Sequence, residues 1–119
     1  MGKDVGHLLF VYGSLRPGET HHRLLADARY LGRHCTEPHF TMHDLGEYPA
    51  VVERGHHAIV GDVFIVDAAT LVRVDDYEGY PHEYTRRLIT TPFGSAWMYL
   101  YRRECAGAVV ISSGDWCSK

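Results

Sequence analysis

Short apolar segments rich in Val, Ile, Phe and Tyr, separated by Gly, Pro and Asp, make up most of this chain. The first segment, residues 8–12, is continuously apolar, which is typical of a strand that is buried on both faces. In residues 95–103 the apolar side chains again occupy both faces, with Trp97 on one and Met98 on the other. The predicted strands are residues 8–12, 30–36, 40–45, 48–53, 58–66, 84–91 and 95–103, the last two joined by a hairpin at 92–94.

Two helical segments and a C-terminal element accompany these strands. Thr20 can cap a short helix over residues 20–28, with Leu24 and Leu25 pointing inward. A second helix begins at Asp67, and residues 109–116 follow the last long strand as a final element. Closing many short, two-faced strands into a barrel removes exposed edges. We therefore expect one domain over the 119 residues, with an α+β fold consisting of a small mixed β-barrel and short flanking helices.

The second predicted helix carries a carboxylate where its apolar stripe predicts a core residue. Leu71 and Val74 lie three residues apart, and Glu78 follows on the next turn of the same stripe. Gly79 and Pro81 end the helix, so Glu78 lies in the last turn, where unpaired carbonyl groups disfavour another negative charge. Glu78 is therefore predicted to point inward from the unfavourable end of its helix.

This position predicts a raised pKa for Glu78. Asp75 and Asp76 add negative charge nearby, and burial also favours the protonated form of a carboxyl group. A glutamate that titrates near neutral pH can accept and return protons in catalysis. The alternative interpretation is a surface acid paired with Arg86 or Arg87, and the position in the sequence does not decide between the two.

The turn after the first strand is a candidate anion site. Tyr12, Gly13, Ser14 and Leu15 end the strand, so several main-chain N–H groups lose their ladder partners, and Gly13 lets the chain turn so that these groups converge. A carboxylate would fit such a concave group of donors. The alternative is an ordinary turn in which Ser14 caps its own backbone. A nucleophilic role for Ser14 has less support, because the second glycine of Gly-x-Ser-x-Gly is absent.

Composition and charge exclude several classes of function. A formal charge of -3 argues against nucleic acid as the main partner. No apolar run approaches the roughly 20 residues that span a bilayer, so we expect no membrane partner and a cytoplasmic location. The 3 cysteines are widely spaced and read as free thiols, and none of the 9 histidines lies in a metal-binding motif. We therefore expect no metal site.

Four motifs, in the same order along nearly the whole chain, resemble the γ-glutamylcyclotransferase family, in its AIG2-like and γ-glutamylamine cyclotransferase branch. The first is the strand followed by Tyr-Gly-Ser-Leu-Arg at 12–16, and the second is Asp-Asp-Tyr-Glu-Gly-Tyr-Pro at 75–81 with Tyr84 and Arg86 beyond it. The third is the aromatic strand at 96–101, and the fourth is Ser-Gly-Asp-Trp at 113–116. The resemblance implies a small barrel with a central cavity, and neither a metal nor another cofactor.

The resemblance also implies roles for individual residues. It makes the backbone of Tyr12 to Leu15 the site for the glutamyl head of a small γ-glutamyl substrate, and Glu78 the acid/base that closes the ring to 5-oxoproline and releases an amine. Tyr84 matches a family tyrosine near the cavity, although it could equally be a core aromatic. Tyr99 and Tyr101 could line the same pocket or serve packing only.

Three classes of function remain open on the sequence. The first is the cyclotransferase, a γ-glutamyl amide cyclising enzyme. The second is a non-catalytic module that binds 5-oxoproline or γ-glutamyl compounds, against which the retention of Glu78 argues. The third is an interaction domain without a pocket, which would leave the inward glutamate unexplained. The leaving amine and the oligomeric state have no signature in the sequence.

Overall fold

A computed structural model describes residues 6–105 and 107–119 of the chain. Its strands and its α-helix fall close to the predicted segments, and the hairpin between the last two long strands turns at Pro92 and Phe93. The elements are β1 His7–Val11, a first 3₁₀ helix His22–Leu25, β2 Arg29–Cys35, β3 Phe40–Asp44, β4 Pro49–His57, β5 Val60–Val66, α1 Ala68–Glu78, β6 Tyr84–Thr91, β7 Gly94–Tyr101, β8 Val109–Val110 and a second 3₁₀ helix Trp116–Ser118.

The described strands form two sheets. A five-stranded sheet has the order β2-β5-β1-β7-β6, in which β1 runs parallel to β7 and the other pairs are antiparallel. A three-stranded sheet has the order β4-β3-β8. The predicted α+β class with a mixed β-structure is confirmed. The sheets do not close into one barrel, because β3 and β4 pair with each other and β8 completes their sheet.

The central strand β1 separates two hydrophobic cores. Leu9 and Val11 face the core that also holds residues of α1, whereas Phe10 and the following Tyr12 face the core that is shared with the three-stranded sheet. The continuous apolar run at residues 8–12 therefore reflects burial on both sides, as predicted. One consequence is that the turn after β1 begins between the two cores.

Helix α1 begins and ends as its sequence predicts. Asp67 caps its first turn by accepting a hydrogen bond from the Thr70 N–H at 2.7 Å. Leu71 and Val74 are buried, which confirms the apolar stripe. Gly79 ends the helix with a φ of 70°, a left-handed conformation that favours glycine. No helix in the described residues is long and apolar enough to cross a membrane.

The predicted helix at residues 20–28 is only a single 3₁₀ turn. Thr20 does not cap it; the residue before the helix is His21, whose side chain makes no capping hydrogen bond. Instead the His21 N–H donates to the Ser14 carbonyl at 2.9 Å. Tertiary hydrogen bonds to the turn after β1 thus hold this segment, and they override its weak helical periodicity. Of the two leucines expected to point inward, Leu25 is buried and Leu24 is half-buried.

Candidate active site

A cavity of about 260 Å³ lies where the end of β1 meets the end of α1 and the first residues of β4 and β6. Its wall includes the six residues to which the sequence assigns a role in the site, namely Tyr12, Gly13, Ser14, Leu15, Glu78 and Tyr84. Of the two tyrosines that could line the pocket or serve packing only, Tyr99 is in the wall and Tyr101 is not. Direct sequence neighbours of these residues also line the wall, namely Phe10, Val11, Tyr77 and Glu83, and more distant segments contribute Tyr48, Pro49 and Tyr99. The fold therefore brings the predicted anion-binding turn and the predicted acid to one cavity.

The side chain of Glu78 has no hydrogen bond or ion pair within the described part of the chain. Its two alternative partners are engaged elsewhere, because Arg86 binds Asp75 and Arg87 pairs with Glu53. Burial, and after it the charge of Asp75, raises the pKa of Glu78 to about 8. A carboxyl group in this state can both accept and donate a proton near neutral pH.

Asp75 organises the charged groups behind Glu78. Its two oxygens accept hydrogen bonds from Arg86 Nε at 2.9 Å and from Arg86 Nη2 at 3.0 Å. The Tyr99 hydroxyl also donates to Asp75 Oδ1 at 2.5 Å. The Arg86 guanidinium stacks over the Trp97 ring, 4.3 Å from its centroid. Because Arg86 is held by these contacts, its positive charge stays with Asp75 and leaves Glu78 unpaired.

The turn after β1 lines the cavity and contains main-chain N–H groups that have no acceptor in the described residues. Among the described residues, none accepts a hydrogen bond from the N–H groups of Gly13, Ser14 or Leu15. The turn uses its carbonyl groups instead, since Gly13 O accepts from the Arg16 N–H at 3.0 Å. A Cβ on Gly13 would come within 2.9 Å of the Pro49 ring, so only glycine lets the turn pack against β4. These features match the predicted anion site, whose role stays a prediction.

Two buried tyrosines in the cavity wall donate hydrogen bonds from their hydroxyl groups to main-chain carbonyl groups. Tyr12 donates to the Tyr99 carbonyl at 2.7 Å, and Tyr84 donates to the Pro49 carbonyl at 2.9 Å. Burial is the main reason that the pKa of each tyrosine is raised, and the charge of Glu78 raises both further. Both phenols therefore stay neutral. Tyr84 belongs to a hydrophobic core and also lines the cavity, so it fits both interpretations of its sequence position.

Sequence reasoning missed Tyr77, Tyr48, Pro49 and Glu83 as cavity residues. Tyr77 precedes Glu78, and its hydroxyl lies 2.8 Å from Ser14 Oγ. Glu83 directly precedes Tyr84. Tyr48 and Pro49 had no local signal, because only the packing of the two sheets brings the start of β4 to the turn after β1. In the described residues, no group of three or more His, Cys, Asp or Glu side chains is arranged to hold a metal ion.

Comparison with known proteins assigns the chain to a family. The family described as γ-glutamyl cyclotransferase, AIG2-like, matches residues 9–118. A protein of Vibrio cholerae is 46% identical over 95% of this chain and 97% of its own length. The Escherichia coli γ-glutamylcyclotransferase family protein YtfP is 40% identical over 93% of this chain and 96% of its own. Rat γ-glutamylaminecyclotransferase is 34% identical over 66% of this chain and 58% of its own.

Solved structures agree with this assignment. A crystal structure of the Pyrococcus horikoshii protein PH0828 has a TM-score of 0.82 at 28% identity, covering 94% of this chain and 91% of that chain. The solution structure of Escherichia coli ytfP has a TM-score of 0.74 at 40% identity, covering 92% and 95%. The chain belongs to the AIG2-like γ-glutamyl cyclotransferase family, as the four sequence motifs indicate.

Proposed function

We propose that the protein is a γ-glutamyl amide cyclotransferase that releases 5-oxoproline and a free amine, with Glu78 as the general acid/base. The observation that carries the proposal is an unpaired carboxyl group, Glu78, in the wall of a cavity that also presents free main-chain N–H groups. Family membership and the name of the rat relative support the same reaction class. The substrate is a small molecule with a γ-glutamyl head.

The reaction is an intramolecular aminolysis. The α-amino nitrogen of the substrate attacks the γ-carbonyl carbon, a new C–N bond closes the five-membered ring, and the original amide C–N bond breaks. The α-ammonium nitrogen loses two protons, one before attack and one from the tetrahedral adduct, and the departing nitrogen gains two, so that the amine leaves as an ammonium ion at neutral pH. A single carboxylate can carry these protons one at a time from the attacking to the departing nitrogen, so the products are the 5-oxoproline carboxylate and the protonated amine, with no water consumed.

The environment of Glu78 suits this double transfer. With a pKa of about 8, the carboxyl group is mostly protonated at neutral pH in the free protein, but its ionised form is within easy reach. The positive α-ammonium of a bound substrate stabilises the ionised form, so that Glu78 can become the base as the substrate arrives. The backbone of Tyr12 to Leu15 would bind the α-carboxylate or the developing oxyanion, and Tyr84 would shape the cavity around the ring-closing conformation.

Replacing Glu78 with Gln tests the acid/base role. Gln keeps the shape of the side chain but cannot accept the α-ammonium proton, so we expect 5-oxoproline formation from γ-glutamyl amides to fall by about 10²-fold or more. We expect 5-oxoproline to bind with nearly unchanged affinity. The measurements are turnover on a panel of γ-glutamyl amides and calorimetric titration with 5-oxoproline.

Two further variants serve as controls. Asp76→Asn also converts a carboxylate to an amide, at an exposed position two residues before Glu78 on α1. This variant should leave turnover intact. Glu83→Gln removes the other carboxylate of the cavity wall, which is paired with Arg103. Loss of turnover in Glu83→Gln together with an active Glu78→Gln would move the base to Glu83. A wild-type protein that binds 5-oxoproline and turns over no amide would be a binding module instead.

A further inference from the structure

A chain of three side chains joins the turn after β1 to the surface beside α1. Ser14 Oγ lies 2.8 Å from Tyr77 Oη, and Tyr77 Oη lies 3.0 Å from Nδ1 of His21. Ser14 and Tyr77 line the cavity, whereas His21 does not. The His21 and Tyr77 rings also pack together, with their centroids 4.9 Å apart. The chain therefore connects a hydroxyl group of the cavity to an imidazole outside it.

The direction of these hydrogen bonds decides what Ser14 offers to a ligand. Each hydroxyl group has one hydrogen to donate. If Nδ1 of His21 carries no proton, Tyr77 donates to it and Ser14 donates to Tyr77, so Ser14 presents only lone pairs to the cavity. If Nδ1 carries a proton, His21 donates to Tyr77 and Tyr77 can donate to Ser14, which frees the Ser14 hydrogen. A bound carboxylate requires the second arrangement.

We propose that Tyr77 and His21 are positioning residues that make the Ser14 hydroxyl a hydrogen-bond donor to a ligand carboxylate. The inference rests on the proposed function, which supplies that carboxylate from the γ-glutamyl head or from 5-oxoproline. Most of the binding comes from the main-chain N–H groups of the turn, and Ser14 adds one hydrogen bond. His21 acts on the ligand only through Tyr77 and Ser14, because it lies outside the cavity wall.

A double-mutant cycle tests this dependence. Ser14→Ala and Tyr77→Phe should each weaken 5-oxoproline affinity on the order of tenfold, which corresponds to one hydrogen bond to a charged group. The double variant should bind no more weakly than Ser14→Ala, because Tyr77 acts through Ser14. KM for the best γ-glutamyl amide should rise by a similar factor with kcat nearly unchanged, since the bond is made in both ground and transition states.

Tyr80→Phe is the matched control for Tyr77→Phe. It removes a hydroxyl group just beyond the end of α1 that makes no hydrogen bond within the described residues, and it should leave affinity and KM unchanged. Tyr77→Phe keeps the ring that packs on His21, so the fold should persist. Losses that multiply in the double variant, or a Tyr77→Phe protein with wild-type affinity, would overturn the inference.

Nitrogen NMR of wild-type protein with ¹⁵N-labelled histidine gives a second readout. In the complex with 5-oxoproline we expect Nδ1 of His21 to carry a proton, and we expect this ligand effect to disappear in Ser14→Ala. An unprotonated Nδ1 in the complex would contradict the inference. Turnover by the wild type separates the two hypotheses: an active enzyme without coupling refutes only the role of Tyr77 and His21, whereas a protein that neither turns over amides nor binds 5-oxoproline refutes both.

Discussion

Glu78 is a residue whose charge works against the stability of the fold. Its carboxyl group is partly buried, it lies near Asp75, and it sits in the last turn of α1, where the helix dipole is negative. No positive side chain in the described part of the chain compensates it. Ionisation of Glu78 therefore costs folding free energy.

The pH dependence of stability should reveal this cost. The pKa of Glu78 is raised from its ordinary value of 4.5 to about 8 in the folded protein, so its contribution to stability is fully present below about pH 4.5 and is lost as the pH rises through about 8. Glu78→Gln has no such loss. We expect the variant to exceed the wild type in unfolding free energy by roughly 2–4 kcal/mol at pH 9 and by little at pH 4.5.

Urea unfolding at a series of pH values measures this difference. Asp76→Asn is the control, because Asp76 is exposed and its removal should give no comparable pH-dependent gain. A constant difference between Glu78→Gln and the wild type from pH 4.5 to pH 9 would mean that the pKa of Glu78 is not raised.

The inward position of Glu78 could be predicted from the sequence, whereas the ion pair between Arg86 and Asp75 could not. The stripe of Leu71 and Val74 and the stop at Gly79 are all local, so spacing predicts an inward acid, but it leaves open the alternative of a surface acid paired with Arg86 or Arg87. The bond between Arg86 and Asp75 depends on how β6 crosses the end of α1. From the sequence, Arg86 could pair with Asp75 or with Glu78, and the tertiary structure pairs it with Asp75.

At the scale of elements, a buried ion pair network holds the chain directly after residues 12–15, the turn that follows β1. Arg16 is buried, and its guanidinium contacts Asp62 of β5 at 2.8 Å and Asp115, next to the second 3₁₀ helix, also at 2.8 Å. Asp115 also accepts a hydrogen bond from the Cys117 N–H at 3.0 Å. One arginine thus ties the turn to two other elements, which keeps the free N–H groups of the turn in place.

Asp62→Asn should destabilise the protein, because it leaves the buried Arg16 with only part of its compensating charge. We expect a loss of roughly 2–4 kcal/mol in unfolding free energy, measured by urea titration, and weaker binding of 5-oxoproline. Arg33→Gln is the control: Arg33 contacts Asp115 at 3.5 Å, but 65% of its side chain is exposed, so its removal should cost less than about 1 kcal/mol. Equal losses in the two variants would show that burial of the Arg16 network does not matter.

Periodicity predicted the strands and α1 well, because their hydrophobic patterns are local and strong. It failed at residues 20–28, where hydrogen bonds to the turn after β1 hold the chain in one 3₁₀ turn. It also gave no sign of the Arg16 network, since Asp62 and Asp115 lie 46 and 99 residues away in sequence. Contacts of this range depend on the sheet order, which alternation of residues does not specify.

At the scale of the whole molecule, the cavity lies at a junction between the two sheets. Tyr84 is the first residue of β6 in the five-stranded sheet, and Pro49 is the first residue of β4 in the three-stranded sheet. The sequence predicts a barrel because closure removes strand edges, yet the two sheets stay separate. The family resemblance predicted a cavity, whereas the strand pattern did not. The wall of the cavity consists of segments that only the sheet order brings together.

Tyr84→Phe tests whether the link between the sheets also shapes the site. The variant removes the hydrogen bond from Tyr84 to the Pro49 carbonyl, so we expect a loss of about 1–2 kcal/mol in unfolding free energy. Because Gly13 packs against the Pro49 ring, a shift of β4 reaches the turn after β1, and 5-oxoproline affinity and turnover should fall several-fold if that turn binds the substrate as proposed. Tyr101→Phe is the matched control. Tyr101 packs edge-on against Tyr84, and its hydroxyl makes no hydrogen bond within the described residues, so both properties should stay near wild type. A Tyr84→Phe protein that loses stability but keeps full affinity would mean that Tyr84 supports the fold and has no part in the site.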